Sequence, residues 1–520
     1  MRWLAVVVLL GACGKHPPPV VGGVSLVLDI PNGVLDPKGF TTVEVVLHEP
    51  SGDIARSAKV NADGTFDLGA VDPSTMVSVE ATLRNDSGAA LGYGRSSADA
   101  AFAGGAQIVV PVRRPIAYFA GTVSRDKDGD PNTPGDHWTE VPATFSDLST
   151  GTPLDGTAKV GTQVVMMVTA GPSLYMVTQM TSDPIGALMG TAKVTPVSTA
   201  DHTVGAALAG SLTGGVTDGA GADDGGTLVI GTTTALFAVN TTTGEITSLA
   251  SGNFSRVAIL TTSTGEIDAV AINNRGLTTG ACTPTAELWW ATLSGSTPGA
   301  HKVATGGFSD VAADRGHAYY VDACGGVLGE VTPAQATMLQ QVTPAGAGEP
   351  TALAISNGQA YIGVETQPAT TSLLVAAIAT SGAPRTLWNE TAQQVVNATD
   401  LPGVQRQLNA GSVEFAHLEV GAGGDYVALT TRAHFDGAEV QDANFPAITM
   451  DTEELRVFDA ATGGIVQRYR SWCAGVVTFD PFATQIVKWG CASTTGQTAP
   501  APMSNLDHHI NSMTFLFGKK

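Results

Sequence analysis

One short pattern occurs twice in this chain and limits its fold more than any composition does. It is Leu236-Phe237-Ala238-Val239-Asn240-Thr241-Thr242-Thr243-Gly244-Glu245-Ile246, repeated as Leu455-Arg456-Val457-Phe458-Asp459-Ala460-Ala461-Thr462-Gly463-Gly464-Ile465. Each copy reads as a strand, a tight Asn/Asp-x-x-Thr-Gly turn and a second strand, because Asn and Asp side chains bond the backbone a few residues on and glycine accepts a left-handed conformation. Weaker copies occur at 288–295 and 374–382. Further hairpins are written in 311–321, with Arg315-Gly316 at its tip, and in 352–362, with Asn357-Gly358. Two hairpins per unit make four strands, and such a unit buries its faces only by stacking on copies of itself.

Four-stranded repeats of about 40 to 50 residues are the mark of a β-propeller, and 115–520 holds about seven of them. A pair of packed β-sandwiches is the other arrangement for so many strands. Pro115–Gly121 opens the array and Ser512–Gly518 lies at its far end. Strands from both segments are expected to complete one blade, which removes an exposed edge. The array resembles the divergent seven-bladed propellers grouped with quinoprotein-dehydrogenase-like and YVTN repeats. The tryptophan-docking repeat and cofactor contacts that mark quinoproteins are not identifiable here. The expected fold class is therefore all-β, a small N-terminal β-sandwich followed by a β-propeller of about seven blades.

Residues 23–114 carry the smaller domain. Short alternating runs at 24–28, 43–47, 77–81 and 108–110 are separated by Gly, Pro, Asn and Asp, which suits a sandwich. The stretch Asn61-Ala62-Asp63-Gly64-Thr65-Phe66-Asp67-Leu68 resembles a hairpin of transthyretin-like or carboxypeptidase-regulatory-like modules, in which the aromatic enters the core; an immunoglobulin-like topology fits as well. Either implies a spacer or adhesion module.

The first residues give an address. Arg2 precedes the apolar run Trp3–Leu10, which has the length of a signal peptide and is too short to span a bilayer. Leu10-Gly11-Ala12-Cys13 follows and resembles the lipobox of bacterial lipoproteins, which implies a signal peptide over 1–12 and a lipidated Cys13 at the start of the mature chain. Residues 13–22 include Pro17-Pro18-Pro19 and read as an extended tether. The expected location is the cell envelope, at the outer membrane or cell surface, with the lipid as the membrane anchor. Removing Cys13 from the cysteines leaves Cys282, Cys324, Cys473 and Cys491, an even number that suits disulfides in an exported protein. Three connectivities are open. A hairpin turning at Asp480-Pro481 sets Cys473 across from Cys491 and leaves Cys282 for Cys324.

With 26 Lys and Arg against 47 Asp and Glu, the net charge is −21, and no basic cluster exists to grip a phosphate backbone; nucleic acid is excluded as a partner. Asp126, Asp128 and Asp130 alternate as in the first half of a calcium loop, but Pro131 takes the position of the loop glycine and His137 that of the bidentate glutamate; Asp136 is the substitute ligand. Calcium is thus the one cofactor the sequence offers, and a solvated acidic turn is the alternative. Asp507-His508-His509 is expected in a surface turn, and Trp289-Trp290 in blade packing and rim. HExxH, GxSxG, GxxxxGK[ST] and GxGxxG do not occur. The expected function is a noncatalytic envelope lipoprotein whose propeller loops or central channel bind a protein or glycan partner. The alternative is a lactonase-like or quinoprotein-like propeller enzyme with residues dispersed over several blades.

Overall fold

The computed structural model describes residues 25–30, 39–49, 52–61, 66, 76–96, 100–101, 107–115, 117–125, 137–139, 143–146, 150–153, 162–181, 188–199, 203–262, 265–275, 277–278, 281–282, 284–294, 298–344, 347–366, 370–379, 382–398, 406–408, 412–435, 440–442, 448–480, 483–495 and 506–517. The N-terminal module is a bent sheet around one core. Its strand Gln107–Arg113 pairs in parallel with Ser25–Asp29 over its first half and antiparallel with Ala90–Arg95 at its end, so it serves both layers. Alternation sorts the faces. Val43, Val45 and Leu47 of Thr42–Glu49 and Val79, Ala81 and Leu83 of Met76–Arg84 enter the module core with Phe66, as the resemblance implies for the aromatic. Glu44, His48 and Glu80 belong to the opposite face by the same alternation.

Among the described residues, seven sheets of four or five strands follow in a ring, and the fold is a β-propeller. The innermost strands, taken blade by blade, are Leu506–Phe515, Thr162–Ala170, Val216–Gly221, Phe254–Thr261, Phe308–Asp314, Glu349–Ser356 and Ser412–Gly421. Each packs against the next, and the seventh returns to the first. In the first blade Leu506–Phe515 pairs antiparallel with Ala117–Arg125, which is the closure expected from the two ends of the array. The four sequence copies all fall on the third strand of a blade, in the third, fourth, sixth and seventh blades. Their turn chemistry is as read: Asn240 Oδ1 accepts the N–H groups of Thr242 and Thr243, Asp459 Oδ1 accepts that of Thr462, and Gly244 and Gly463 have φ of 73° and 74°. Arg315-Gly316 and Asn357-Gly358 form two-residue turns with positive φ throughout.

A second repeat is invisible in the sequence. Every innermost strand shifts register against its neighbour at the same place, at Val165, Thr217, Ser255, Ser309, Thr351, Ala416 and Asn511. Around these bulges, side chains tie each blade to the next. Ser512 Oγ accepts Met167 N–H at 3.0 Å, Gln179 Oε1 accepts Val216 N–H at 3.1 Å and Asp218 Oδ2 accepts Val257 N–H at 2.8 Å. Asp310 Oδ2 accepts Leu353 N–H at 2.9 Å, Glu365 Oε1 accepts Phe415 N–H at 3.0 Å and Glu419 Oε1 accepts Phe515 N–H at 2.9 Å. At the remaining junction, fourth to fifth, Arg256 Nε stands 3.5 Å from Asp310 Oδ1.

Asp310 is 2 % exposed and serves two junctions. Asp310→Ala strands the Leu353 N–H and the Arg256 charge, so a loss of about 2–4 kcal/mol is expected. Chemical denaturation read by tryptophan fluorescence checks it, and an unshifted midpoint removes the tie from the account.

Candidate functional site

The module does not stand apart as a spacer. It docks on the face of the propeller where first strands turn into second strands. Arg84 reaches Asp425 through Nη1 at 2.7 Å and Nη2 at 3.2 Å, with Nε on Glu44 at 2.6 Å. Arg95 Nη1 donates to Asp223 at 2.8 Å, and Arg315 of the fifth-blade turn pairs with Asp53. Tyr93 meets Phe517 edge-on at 6.0 Å, and Tyr426 Oη donates to the Ala90 carbonyl at 3.2 Å. Gly423, at φ 64°, is required here, because a Cβ on it would stand 2.7 Å from the Tyr93 ring. Ala90 and Tyr93 thereby share one apolar cluster with the first, second and seventh blades. The expectation of a spacer misses this face, since the pairing of Arg84 with Asp425 or Arg95 with Asp223 leaves no local trace in either segment.

Between module and propeller lies a cavity of about 490 Å³ on the propeller axis. The module contributes His48, Glu80 and Arg95, which strand register brings together: His48 faces Asp53 across one hairpin and Glu80 faces Arg95 across another. The innermost strands contribute Met166, Met167, Leu260 and Met513 as apolar wall, and Asp218, His417 and Glu419 as polar wall. At the other end of the innermost strands, Arg275 extends from the fourth blade to donate to the Thr351 carbonyl of the sixth at 3.0 Å. Burial, with Arg256 beside it, pulls its guanidinium down to about 9.

The roof is electrostatically knitted. His48 Nδ1 lies 2.8 Å from Asp53 Oδ1 and its Nε2 lies 3.5 Å from Glu80 Oε1. Burial works against its protonation, but the Glu80 and Asp53 carboxylates outweigh burial and raise its pKa above 6.5. Burial likewise opposes the charge of Arg95, and Asp223, Tyr93 and Glu80 outweigh it, so its pKa is raised.

The residues singled out in the sequence lie elsewhere. Cys13 and the acidic loop Asp126, Asp128, Asp130 and Asp136 fall outside the described residues. Among the described residues no group of three His, Cys, Asp or Glu is set to hold a metal ion, and no helix is long and apolar enough to cross a membrane. The backbone register sets Cys473 directly opposite Cys491 in the last hairpin of the seventh blade. Cys282 ends a short hairpin of the fourth blade, and Cys324 sits in the exposed turn after Asp322. Asp507-His508-His509 is not a surface turn; it begins an innermost strand, where ring closure pairs it with Thr122–Ser124. Trp290 is buried, and Trp289 packs edge-on to Phe254 at 5.7 Å, both within the fourth blade as expected.

No protein-family model and no curated protein matches the sequence. Among solved structures, the chain is similar to the periplasmic gluconolactonase PpgL of Pseudomonas aeruginosa, with a TM-score of 0.39 and 12% identity over 74% of this chain and 98% of that one. It is similar also to TolB of Acinetobacter baumannii, with a TM-score of 0.31 and 8% identity over 85% of this chain and 80% of that one.

A raised His48 pKa means the folded state favours the charged ring. The stabilisation is fully present below its ordinary value and lost as pH rises through the raised one. The melting difference between the wild type and His48→Asn is therefore expected to be larger at about pH 5.5 than at about pH 8.5. Equal differences at the two values end this assignment.

Proposed function

We propose that this chain is an exported lipoprotein, held in the cell envelope through Cys13, whose propeller acts by binding and not by catalysis, with the axial cavity under the module as its binding site. The observation that carries the reading is the cavity itself, lined by residues of six of the seven blades and roofed by a second domain. The engagement of its ionisable groups supports binding over turnover. Asp218 and Glu419 hold backbone N–H groups of the next blade, Asp223 holds Arg95, and Asp53 holds His48 and Arg315. A carboxylate so committed is poorly placed to take a proton from substrate. An outer-membrane or cell-surface position and a protein or glycan partner for the propeller loops belong to the same reading.

The function is tested by assaying the purified protein on lactone, ester and alcohol panels, with and without calcium and a quinone. No turnover is expected. Asp314, buried at the end of the fifth blade's innermost strand, also lines the cavity; turnover abolished by Asp314→Asn, with melting unchanged, establishes the enzyme in its place.

Export is tested separately. The wild type is expected in the detergent phase and Cys13→Ala in the aqueous phase, since acyl chains supply the anchor. Peptide mapping without reductant is expected to link Cys473 to Cys491, as their facing register supports, and Cys282 to Cys324. Equal partitioning, or free thiols in envelope-derived protein, overturns this part.

A further inference from the structure

We infer that the N-terminal module is a hinged lid, which turns about its contacts with the first, second and seventh blades and opens the cavity at the fifth, where the Arg315–Asp53 pair is the latch. The inference concerns how the cavity is reached, so it stands whether the cavity binds or turns over what enters it.

A way in is needed. Met166, Leu260 and Met513 of the cavity wall are buried, and at the far end of the axis Arg275 reaches across from the fourth blade to the Thr351 carbonyl of the sixth. Entry is therefore on the side of the module.

The seam between module and propeller is uneven. On one side Ala90 and Tyr93 share a buried cluster with Tyr118, Tyr426 and Phe517, and Arg84 holds Asp425 through two nitrogens. The strands Met76–Arg84 and Ala90–Arg95 approach Ala422–Gly424 of the seventh blade there. The covalent link, residues 114–116, leads on the same side from Gln107–Arg113 into Ala117–Arg125 of the first blade. Arg95 and Asp223 flank this hinge on the third blade. Across the ring, at the fifth blade, the tie is an ion pair with Arg315 31 % and Asp53 38 % exposed. Water competes for such a pair, which breaks and re-forms readily, whereas parting the apolar cluster costs far more. An interface strong on one side and weak on the other opens by rotation about the strong side.

The turn that carries Arg315 gives a second, independent sign. Arg315-Gly316 and Asn357-Gly358 are the same two-residue turn on successive blades, with positive φ at both positions. Asn is favoured at the first position and a long side chain is not. Arg315 stands at φ 50° against that preference, and what the substitution supplies is reach. Its Nη1 donates to Asp53 of the module and its Nη2 to Asn357 of the sixth-blade turn, whose own amide donates to the Gly423 carbonyl beside the hinge. The latch is thus braced on the propeller side and released at a single contact with the module.

Leu260→Cys places a thiol on the cavity wall, and its modification by N-ethylmaleimide in the full chain, read by intact mass against the parent, reports opening. Modification is expected to be slow. Arg315→Asn suits the turn and removes the latch, so the rate is expected to rise roughly fivefold while melting holds or rises. Asp53→Asn, which keeps an acceptor for His48, and the double variant are expected to reach the same rate, because all three lose one and the same pair. Val45→Cys, in the module core, is expected to stay unmodified throughout, since the module swings without unfolding. Met513→Cys is the reporter if Leu260→Cys does not fold. Fast modification before the latch is cut, an unchanged rate or lowered melting in Arg315→Asn, additive effects of the two changes, or Val45→Cys reacting in step with the reporter overturns the lid. The turnover panels judge the reading of the cavity separately, since no ligand enters this experiment.

Discussion

Each blade ends at the propeller axis in a strand edge with no further strand beside it, and the molecule depends on how the backbone groups there are satisfied. An unpaired buried N–H costs as much as several good contacts supply. Here side chains answer it across the blade boundary, with Ser512, Gln179, Asp218, Asp310, Glu365 and Glu419 each accepting from the following blade. The bulge in every innermost strand works with them: the Thr217 hydroxyl reaches the Phe254 carbonyl, and the Ser309 hydroxyl reaches that of Pro350 at 2.5 Å. Hydrogen bonds are directional, so these ties fix the angle between blades more sharply than apolar packing does.

The same economy shapes the site. A chain with only 14% charged residues places a notable share of its carboxylates at blade junctions and at the seam with the module. What is left around the cavity is a set of mostly committed acids, an apolar wall rich in methionine, and the His48–Glu80–Arg95 roof. Such a surface discriminates by fit and hydrogen-bond count, since its charges are already balanced by partners of fixed geometry.

How far the sequence shows this depends on the range of the interaction. The Asn240 and Asp459 turns are closed within a few residues, so the blade repeat and the closure from both ends were legible. So was the facing of Cys473 and Cys491, because a hairpin's register follows from its turn. The bulges were not, because they are set by the neighbouring blade, and their residues vary from Val165 to Asn511. Asp507-His508-His509 reads as a turn by composition, yet ring closure draws it into a strand. The cavity roof was the least legible. His48 and Glu80 are polar positions in alternating strands, and their pattern says only that they leave the module core; that the face they leave for is a propeller is long-range information. A surplus of polar residues on one sheet face of a small domain was the single available hint.

The strand that closes the ring also orders events in time. Leu506–Phe515 is the innermost strand of a blade whose other strands begin at Ala117, so the first blade is incomplete while most of the chain is already made. Until that strand arrives, the edge of Ala117–Arg125 lies open, and open edges recruit foreign strands. Phe517, just beyond it, carries the ring that Tyr93 docks against. The Tyr93 contact therefore waits for the closing strand, a contact of long sequence separation of the kind that is slow to form. A nascent chain of this protein carries that open edge while residues 126–505 are made, and a chaperone that shields edges would be of most use to it in that interval.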